Sequence, residues 1–371
     1  MKFLIVSNAP IIQKQKSSFA YGPYVKEMKI WASYADEVAF CCPQWENENG
    51  LLVSEIPFRF HRIFRLSDFD IKSHKSIFKA FIQIPLNFLI LFKAMFWSDH
   101  IHLRCPGNVG LLASIVQILF PWKKKTAKYA GNWDPKSQQP WSYKMQRKIL
   151  SNTFLTRNMK VIVYGEWPNQ SENIKPFFTA TYDAGQIVPI VERKFDGKIN
   201  FLFVGMLSSG KRPLYAVKIV EELYKNGYDV HLDILGEGNE KDEIIRYCAE
   251  NNLGEYVILL GNRDSQAVKE LYQSTHFLIL PSKSEGWPKV IAEAMFWGCV
   301  PLSTAVSCVP YMLDNGNRGG ILALELEKDV KMIADLLKNQ KKYHQLSQEA
   351  SLWSRKYTTD YFESEIAKLV I

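Results

Sequence analysis

The sequence predicts an α/β protein built on two parallel, doubly wound sheets. Short apolar runs that read as strands alternate with amphipathic runs of helical length along the whole chain, and this alternation is typical of parallel sheets. The chain has 371 residues, of which 47% are hydrophobic. That length corresponds to two domains of roughly 100–200 residues each, and each half holds enough apolar residues to form its own core.

The first half contains five runs that predict strands and several that predict helices. The strands are KFLIVS, DEVAFCCP, DHIHLR, KTAKYA and KVIVYG, and the helices are YVKEMKIWASYA, GLLASIVQILF and MQRKILSNTFLTRN. Residues 76–97 predict one or two helices broken near Pro85, because proline removes a helical hydrogen bond. The polar, turn-rich stretch after KVIVYG predicts the end of the first domain.

The second half repeats the alternation with clearer boundaries. The predicted strands are NFLFVG, VHLDILG, YVILLG, THFLILPS and VPLST, and the predicted helices between them include PLYAVKIVEELYKNG, closed by Gly227, and WPKVIAEAMFWG, closed by Gly298. Residues 325–357 and the terminal TTDYFESEIAKLVI also predict helices. We therefore expect domains at 1–190 and 191–355, with 356–371 as a terminal helix that crosses back to the first domain.

Composition excludes several classes of protein. The six cysteines form no C-x-x-C pair and no His cluster accompanies them, so we expect reduced thiols and no zinc site or other metal site. We expect no signal peptide in the first ten residues, because their apolar run is short and predicts a strand. The most apolar segment, 76–97, is interrupted by Lys79, Pro85 and Lys93, and we expect no membrane-spanning helix. The expectation is a cytoplasmic protein, either soluble or peripheral on the inner face of the membrane.

Charge is distributed unevenly along the chain. Residues 1–185 hold 24 Lys and Arg against 13 Asp and Glu, whereas the remainder is slightly acidic, within a net charge of +8. A basic first domain predicts an anionic partner such as a phospholipid surface, a lipid-linked phosphate or a nucleic acid. No zinc finger, RNP or helix-turn-helix pattern is present, so we expect no nucleic-acid partner.

The stretch SEGWPKVIAEAMFWGCVPLS, residues 284–303, places two glutamates eight positions apart. Pro288 suits the first turn of a helix, so Glu285 is expected in the loop before that helix and Glu293 within it. A helix amino end suits a phosphate or a sugar hydroxyl, and a carboxylate accepts hydrogen bonds from vicinal hydroxyls. The alternative reading is that Glu285 caps the helix and Glu293 is paired or solvated.

Two further loops follow predicted strands in the same half. In FVGMLSSGKRPLYAV, residues 203–217, Lys211 or Arg212 is placed to meet a diphosphate; the alternative is a pair of surface cations. In LDILGEGNE, residues 232–240, a glycine turn would let the backbone approach a nucleotide. Ligands bind at the carboxyl ends of strands in such sheets, and two domains of this kind predict a cleft between them.

These motifs together resemble the retaining GT-B glycosyltransferases of family 4, also called glycosyl transferases group 1. The pattern P-S-x-x-E-G-x-P-x-V-x-x-E-A-M-x-x-G-x-P, VGMLSSGKRP and LGEG carry the resemblance over about residues 198–325. It implies two Rossmann-like domains and transfer of a sugar from a nucleotide-diphosphate sugar to an acceptor hydroxyl. It also implies that no metal and no further cofactor are needed.

The resemblance assigns roles residue by residue. Glu293 would hold the ribose hydroxyls, Glu285 the transferred sugar near its 3-OH, and Lys211 the diphosphate and its leaving charge. Arg263 would lie near the base. The remaining donor-binding positions are Gly205, Arg212, Gly236, Ser282, Gly286, Trp287, Pro288 and Lys289, where Gly286 to Lys289 contribute mainly backbone atoms.

The chain departs from the family pattern at three places. Met206 stands where the family has an arginine, and Arg212 is expected to compensate. SNAPIIQKQKSSFAYGPY replaces a glycine-rich loop and has the single Gly22. A histidine often follows the strand that matches DHIHLR; here His102 falls earlier and Arg104 takes that place. Both point the same way from the strand, so both are candidates for catalysis, with a structural histidine as the alternative.

The first domain is expected to bind the acceptor. LRCPGNVG and AGNWDP end two predicted strands, and the candidate acceptor-side residues are Gly22, Asn108, Asn132, Trp133 and Asp134, with ordinary loop chemistry as the alternative. Segment 76–97 predicts either a core helix or a membrane-docking surface, and the basic, aromatic-rich domain suits a polyprenyl-diphosphate-linked glycan acceptor in surface polysaccharide synthesis. The rival hypotheses are a non-catalytic GT-B subunit and a sugar-nucleotide epimerase.

Overall fold

The computed structural model of the chain describes residues 1–15, 17–68 and 74–370, with the side chains of residues 74–81 excluded. Contacts divide the chain into two compact units, residues Met1–Phe177 with Glu363–Ile371, and residues Phe178–Phe362. The domains expected at 1–190 and 191–355 are parts of the chain that fold independently. Division into contact units does not test independent folding, so these bounds stay predictions. Lys16 in the predicted first loop, and Lys79 within segment 76–97, lie outside the described side chains.

The first unit contains a mixed sheet and helices on it. Its strands are β1 (Lys2–Val6), β2 (Ile11–Lys14), β3 (Ser17–Tyr21), β4 (Glu37–Trp45), β5 (Val53–Glu55), β6 (Arg62–Leu66), β7 (His100–Cys105), β8 (Lys124–Tyr129), β9 (Met159–Tyr164) and β10 (Ile174–Phe177), and its helices are α1 (Gly22–Ala32), α2 (His74–Trp97), α3 (Asn108–Val116) and α4 (Trp141–Leu150). The parallel part has the order β6-β4-β1-β7-β8-β9-β10, so the strand order reverses between β1 and β7.

The second unit is built on one parallel sheet. Its strands are β11 (Ile199–Val204), β12 (Val230–Leu235), β13 (Val257–Gly261), β14 (Phe277–Leu280), β15 (Val300–Thr304) and β16 (Gly320–Leu322). Its helices are α5 (Pro213–Lys225), α6 (Lys241–Glu250), α7 (Ser265–Ser274), α8 (Lys289–Phe296), α9 (Val309–Met312), α10 (Leu326–Leu337), α11 (Gln340–Ser354) and α12 (Thr359–Val370), the last of which contributes residues to both units. The order β13-β12-β11-β14-β15-β16 reverses between β11 and β14. The predicted pair of doubly wound parallel sheets is confirmed.

Local chemistry explains where the elements differ from the predicted ones. Segment 76–97 is part of one helix that contains Pro85. The helix predicted over MQRKILSNTFLTRN ends at Leu150, because the side chain of Asn152 accepts hydrogen bonds from the backbone N–H groups of Phe154 and Leu155, both at 3.0 Å. Such side-chain bonds compete with helical ones. The predicted loop after β1 contains the antiparallel strands β2 and β3.

Helix α2 has one face in the core and one face exposed. Leu91, Ala94 and Met95 are fully buried against the sheet, whereas Leu89 and Phe96 are 56% and 69% exposed. The buried face agrees with the expected core helix, whereas membrane docking by the exposed face stays a prediction. Among the described residues, no helix combines the length and apolar character needed to cross a membrane.

Candidate functional site in the second unit

Two loops of the second unit meet where its strand order reverses. One follows β11 and the other follows β14, and these strands are paired through Phe201 and Phe277. The backbone N–H of Lys283 donates to the carbonyl of Gly210 at 2.8 Å. Arg212 donates from Nη1 to the carbonyl of Pro281 at 3.2 Å and begins α5 in a left-handed conformation, with φ of 53°. These bonds fix the two loops against each other at the ligand-binding edge of a doubly wound sheet.

Lys211 and Glu285 form an ion pair across these loops. Lys211 Nζ lies 2.5 Å from Glu285 Oε1, and the side chains are 29% and 8% exposed. The carbonyl of the next residue, Gly286, accepts hydrogen bonds from Ser307 Oγ at 3.3 Å and from Cys308 Sγ at 3.0 Å. A mostly buried carboxylate thus holds a partly exposed ammonium group in place. The structure brings together two residues that the sequence placed in one catalytic set.

Ser282 lies in the same loop and is fully buried. Its carbonyl accepts a hydrogen bond from Thr304 Oγ1 at 2.6 Å. Its own hydroxyl has no hydrogen-bond partner within the described part of the chain. Buried hydroxyls are usually paired, so the polar groups of this loop are not fully satisfied.

The glycine turn after β12 packs against the loop after β11. A Cβ on Gly236 would lie 1.9 Å from the carbonyl oxygen of Gly205, and one on Gly238 would lie 2.2 Å from that of Leu207. The backbone N–H of Leu207 donates to the carbonyl of Glu237 at 3.0 Å. The sequence predicted a glycine turn that lets backbone approach a nucleotide; in the structure the close approach is to neighbouring backbone.

Glu293 has partners of its own, separate from the Lys211–Glu285 pair. Its carboxylate accepts hydrogen bonds from Thr181 Oγ1 at 2.7 Å and from the Tyr272 hydroxyl at 3.3 Å. Pro288 precedes helix α8 as its cap, one residue earlier than expected. Thr181 is exposed and Tyr272 is buried, so the Glu293 carboxylate accepts hydrogen bonds from one exposed hydroxyl and one buried hydroxyl.

The remaining donor-site candidates occupy varied surroundings. Arg263 is exposed in the loop after β13, and Lys289 is half-buried at the start of α8. The ring of Trp287 is 7% exposed and stacks on Trp353 of α11 at 6.1 Å, which leaves its backbone as the part that can face a ligand. Met206, at the position of the expected arginine, is 66% exposed.

Candidate residues of the first unit

Arg104 belongs to a charge cluster that also contains Glu27 and Lys128. Arg104 and Lys128 are opposite each other on β7 and β8. Both bind the carboxylate of Glu27 on α1, Lys128 at 2.9 Å. Burial alone would raise the pKa of Glu27, but the two cations outweigh it and hold that pKa well below its usual range. The cluster keeps one positive charge in excess.

His102 does not reach the surface. It is fully buried, its Nδ1 lies 2.9 Å from Thr126 Oγ1, and its ring lies 4.1 Å from that of Trp31. Burial, then the charge of Arg104, hold the pKa of His102 well below its usual value. The position of His102 agrees with the alternative of a structural histidine and does not support a catalytic role. Side-chain alternation along the strand predicted correctly that His102 projects from the same face as Arg104, but helix α1 covers His102 on that face.

The acceptor-side candidates are mainly engaged in local structure. Gly22 begins α1, where its N–H donates to Leu52 at 2.9 Å, and a Cβ there would lie 2.9 Å from Ser54 Oγ. Trp133 is 1% exposed and donates from Nε1 to Gln170 at 2.9 Å. Asn108 is the first residue of α3. Asn132 and Asp134 lie in the loop after β8, where their side-chain oxygens accept hydrogen bonds from backbone N–H groups.

Sequence reasoning missed Glu27 and Lys128. A lysine inside the apolar strand KTAKYA was the available indication, because parallel neighbours place Lys128 beside Arg104. Two neighbouring buried cations, Arg104 and Lys128, predict a carboxylate between them, because buried charges are usually paired. The first half of the sequence offers thirteen acidic residues, so the choice of Glu27 could not be made from spacing.

Relation to known proteins

Comparison with known proteins gives a family for part of the chain and a fold for all of it. Residues 188–353 match the family Glycosyl transferases group 1. An uncharacterized glycosyltransferase of Haemophilus influenzae is 31% identical over 162 residues, which cover 43% of this chain and 45% of that protein. The N-acetylgalactosamine-N,N'-diacetylbacillosaminyl-diphospho-undecaprenol 4-alpha-N-acetylgalactosaminyltransferase of Campylobacter jejuni is 34% identical over 103 residues, 28% of this chain and 27% of that protein.

The similarity to solved structures extends over both units. The structure of HepE from Anabaena, in complex with UDP and glucose, superimposes with a TM-score of 0.70 at 13% identity and covers 99% of this chain and 98% of that one. The chain spans less than half the length of the two curated relatives described above. The chain therefore has the GT-B fold, and its residues 188–353 match the model of the family Glycosyl transferases group 1.

Proposed function

We propose that the chain is a retaining glycosyltransferase of family 4 that transfers a sugar from a nucleotide-diphosphate sugar to an acceptor hydroxyl. The observation that carries this proposal is the Lys211–Glu285 ion pair at the point where the strand order of the second unit reverses. The pair lies within the segment that matches a glycosyltransferase family. Its position is the one where doubly wound sheets bind nucleotides.

Lys211 is the residue assigned to the diphosphate. Departure of the sugar leaves negative charge on the terminal phosphate, and a fixed cation stabilises that charge as it develops. Glu285 holds the lysine in position and accepts a hydrogen bond from a hydroxyl of the sugar. Helix α8 begins four residues after Glu285, and a helix amino end favours a negatively charged group.

Glu293 is assigned to the ribose. A ribose hydroxyl would replace the exposed Thr181 hydroxyl on the carboxylate, while the buried Tyr272 hydroxyl keeps its bond. A carboxylate oxygen that has exchanged its bond to Thr181 in this way can accept hydrogen bonds from the vicinal hydroxyls of a ribose. Loss of the carboxylate in Glu293→Gln is expected to weaken nucleotide binding more than Thr181→Val does.

Retention and independence from metals complete the proposed chemistry. Support for retention is the spacing of Glu285 and Glu293, which resembles that of retaining enzymes. A cation at the diphosphate supplies the charge that a metal ion would otherwise provide. Proton NMR of the first product tests retention through the anomeric coupling, and the rate in EDTA against the rate in added Mg²⁺ tests independence from metals.

The proposed acceptor is a glycan linked to a lipid diphosphate, as in surface polysaccharide synthesis. The support is an apolar face of the first unit, formed by Leu89, Phe92, Phe96, Ile115, Leu119 and Trp122, whose side chains are 38–69% exposed. Lys123 lies over the Phe96 ring at 5.9 Å. Exposed aromatic rings beside lysines suit the headgroup layer of a membrane, and we propose peripheral association of the enzyme with the cytoplasmic membrane surface.

Vesicle sedimentation tests this apolar face. Phe96→Ser with Trp122→Ser should reduce binding to vesicles that contain phosphatidylglycerol, because both rings leave the interface. Leu352→Ser is the matched control, since Leu352 is 62% exposed in the second unit. Equal vesicle binding by the wild type and both variants would contradict membrane association through this face. The proposal for donor binding would be unchanged.

The first experiment on the proposed function is a thermal-shift panel with UDP, GDP, ADP and their common sugars. A ligand that binds only the folded state raises the melting temperature. We expect one nucleotide family to raise it in the wild type and to fail in Glu293→Gln. A panel without any shift, with and without a candidate acceptor, would contradict the proposal and favour a non-catalytic subunit.

A further inference from the structure

A basic groove of about 510 Å³ runs along the first unit at the edge where β8 and β9 begin. This is the opposite end of the strands from Arg104, which is near the end of β7. Its lining contains one acidic side chain, Glu172, and five cationic ones: Lys124, Lys125, Arg157, Lys160 and Lys175. Among the described lining residues, cationic side chains outnumber acidic ones five to one, and none of them has a part in the proposed transfer reaction.

Strand register places three of these lysines on one face of the sheet. His100 is opposite Lys124, Thr126 is opposite Lys160, and Lys175 is opposite Ile162. Since side chains alternate along each strand, His100, Lys124, Lys160 and Lys175 all project from the same face. Lys125 projects from the other face at the same edge.

His100 supplies a buried polar atom to this groove. The residue is 1% exposed, and its Nε2 lies 3.0 Å from Thr126 Oγ1. Its Nδ1 has no hydrogen-bond partner within residues 1–15, 17–68 and 74–370. Burial, and then the charges of Lys124 and Lys160, lower the pKa of His100 to about 4, so the ring is neutral at pH 7.

The hydrogen-bond chain through Thr126 permits His100 to act as a donor. Thr126 Oγ1 lies within hydrogen-bond distance of both His100 Nε2 and His102 Nδ1. If His102 donates to that oxygen, the threonine hydroxyl donates to His100 Nε2, and the proton of His100 then resides on Nδ1. That atom would donate to an acceptor placed in the groove.

Lys125 adds a further positive charge to the lining of the groove. It is 2% exposed, and its Nζ donates to Gln117 Oε1 at 2.8 Å and to the Gln117 carbonyl at 3.3 Å. Among the described residues it has no ion-pair partner. Burial lowers the pKa of Lys125 to about 8. A buried cation of this kind is stabilised when an anion binds nearby.

We propose that this groove is a binding site for a phosphate-bearing ligand, held by Lys124, Lys160 and Lys175 with a hydrogen bond from His100 Nδ1. A phosphate group matches the site better than a carboxylate, because it carries up to two charges and three acceptor oxygens. The site is separate from the donor site assigned to the second unit. The ligand is either a soluble phosphate compound or the headgroup of an anionic lipid, since Trp122 of the apolar face directly precedes the lysines in sequence.

The test follows the imidazole nitrogens of His100 by nitrogen-15 NMR during titration with inorganic pyrophosphate. The resonances are assigned with His100→Gln. We expect the His100 signals to shift and saturate, and the affinity to fall about tenfold or more in Lys160→Gln with Lys175→Gln, since each lysine donates a charged hydrogen bond. The matched control is Lys26→Gln with Lys29→Gln, which removes the same charge from exposed positions of α1.

Lys211→Met separates this site from the proposed donor site. The His100 response should be unchanged in that variant, so loss of donor binding and loss of groove binding are distinguishable. Vesicles containing phosphatidylglycerol form the second arm: a response to pyrophosphate identifies a soluble phosphate ligand, and a response to vesicles alone identifies a headgroup. No saturable response in either arm, or equal weakening in the control variant, would overturn the proposal.

Discussion

The two units share a strand order but place their charges differently at the carboxyl ends of the strands. The order is β6-β4-β1-β7-β8-β9 in the first unit and β13-β12-β11-β14-β15-β16 in the second. In the second unit, Lys211 and Glu285 lie in loops beyond the strands, and Lys211 is 29% exposed. In the first unit, Lys128 lies within a strand and is 1% exposed.

The difference shows how one topology provides two uses of an ion pair. Charges in loops beyond the strand ends can exchange a protein partner for a ligand. Charges within the strands, covered by α1, keep their protein partners, and removal of one partner should be destabilising.

Replacing Glu27 by Gln should destabilise the chain by about 3–5 kcal/mol, because Arg104 and Lys128 would be buried without their counter-charge. Urea unfolding measures the change. Glu48→Gln is the control, since it removes an exposed ion pair with Lys14 at 2.6 Å and should cost about 1 kcal/mol or less. Equal losses of unfolding free energy in the two variants would show that the Glu27 cluster behaves as an exposed ion pair does.

The same residue gives a pH dependence. The pKa of Glu27 is held below its usual range by Arg104 and Lys128, so its contribution to stability is fully present above the unfolded pKa of about 4.3. Below that pH the unfolded chain takes up a proton that the folded chain does not, and the contribution is lost as the pH falls through the folded pKa. Stability of Glu27→Gln should fall less steeply than that of the wild type below about pH 4.3.

Replacing Lys211 by Met should lower kcat about 10²–10³-fold, the loss expected when one group that stabilises developing charge is removed. The melting temperature should also fall, because the mostly buried Glu285 loses its counter-charge, so kcat is compared at a temperature where both proteins are folded. Lys283→Met is the control, since Lys283 is exposed in the facing loop and bonds Gly210 only through its backbone N–H. Full activity in Lys211→Met would separate the loop ion pair from catalysis.

Replacing Gly236 by Ala should destabilise the second unit by about 1–3 kcal/mol, the usual range for an overpacked site. The new Cβ would lie 1.9 Å from the Gly205 carbonyl oxygen, at a φ of 137°. Gly254→Ala is the control, because nothing lies within 4 Å of a Cβ built there. Denaturant midpoints of the two variants measure the difference, and similar midpoints would refute the close approach.

Replacing Met206 by Arg should strengthen donor binding modestly, by about two- to fivefold, because the side chain is exposed and its charge is screened. Met206→Gln controls for the loss of the apolar side chain. Calorimetric titration with the nucleotide identified by the thermal-shift panel measures the effect. Tighter binding in both variants would assign the gain to something other than charge.

The fold was predictable because its indications are local. Strands β1, β4, β7, β8, β9 and β11 to β15 are apolar runs bounded by turns, and Gly227 and Gly298 close helices with φ of 87° and 73°. The missed strands were β2, β3, β5, β6, β10 and β16. They are short or rich in polar residues, and they exist because a neighbouring strand offers hydrogen bonds.

The two doubly wound sheets and the loop that carries Glu285 could be predicted from the sequence alone, since periodicity, glycine and proline act over a few residues. Tertiary structure decided which charges meet. Lys211 and Glu285 are 74 positions apart, and Arg104 and Glu27 are 77 apart. It also decided that His102 is buried and that Glu293 bonds Thr181 and Tyr272. The burial of a side chain and its choice of charge partner depend on which elements pack together. Residue spacing along one strand or helix does not specify which elements those are.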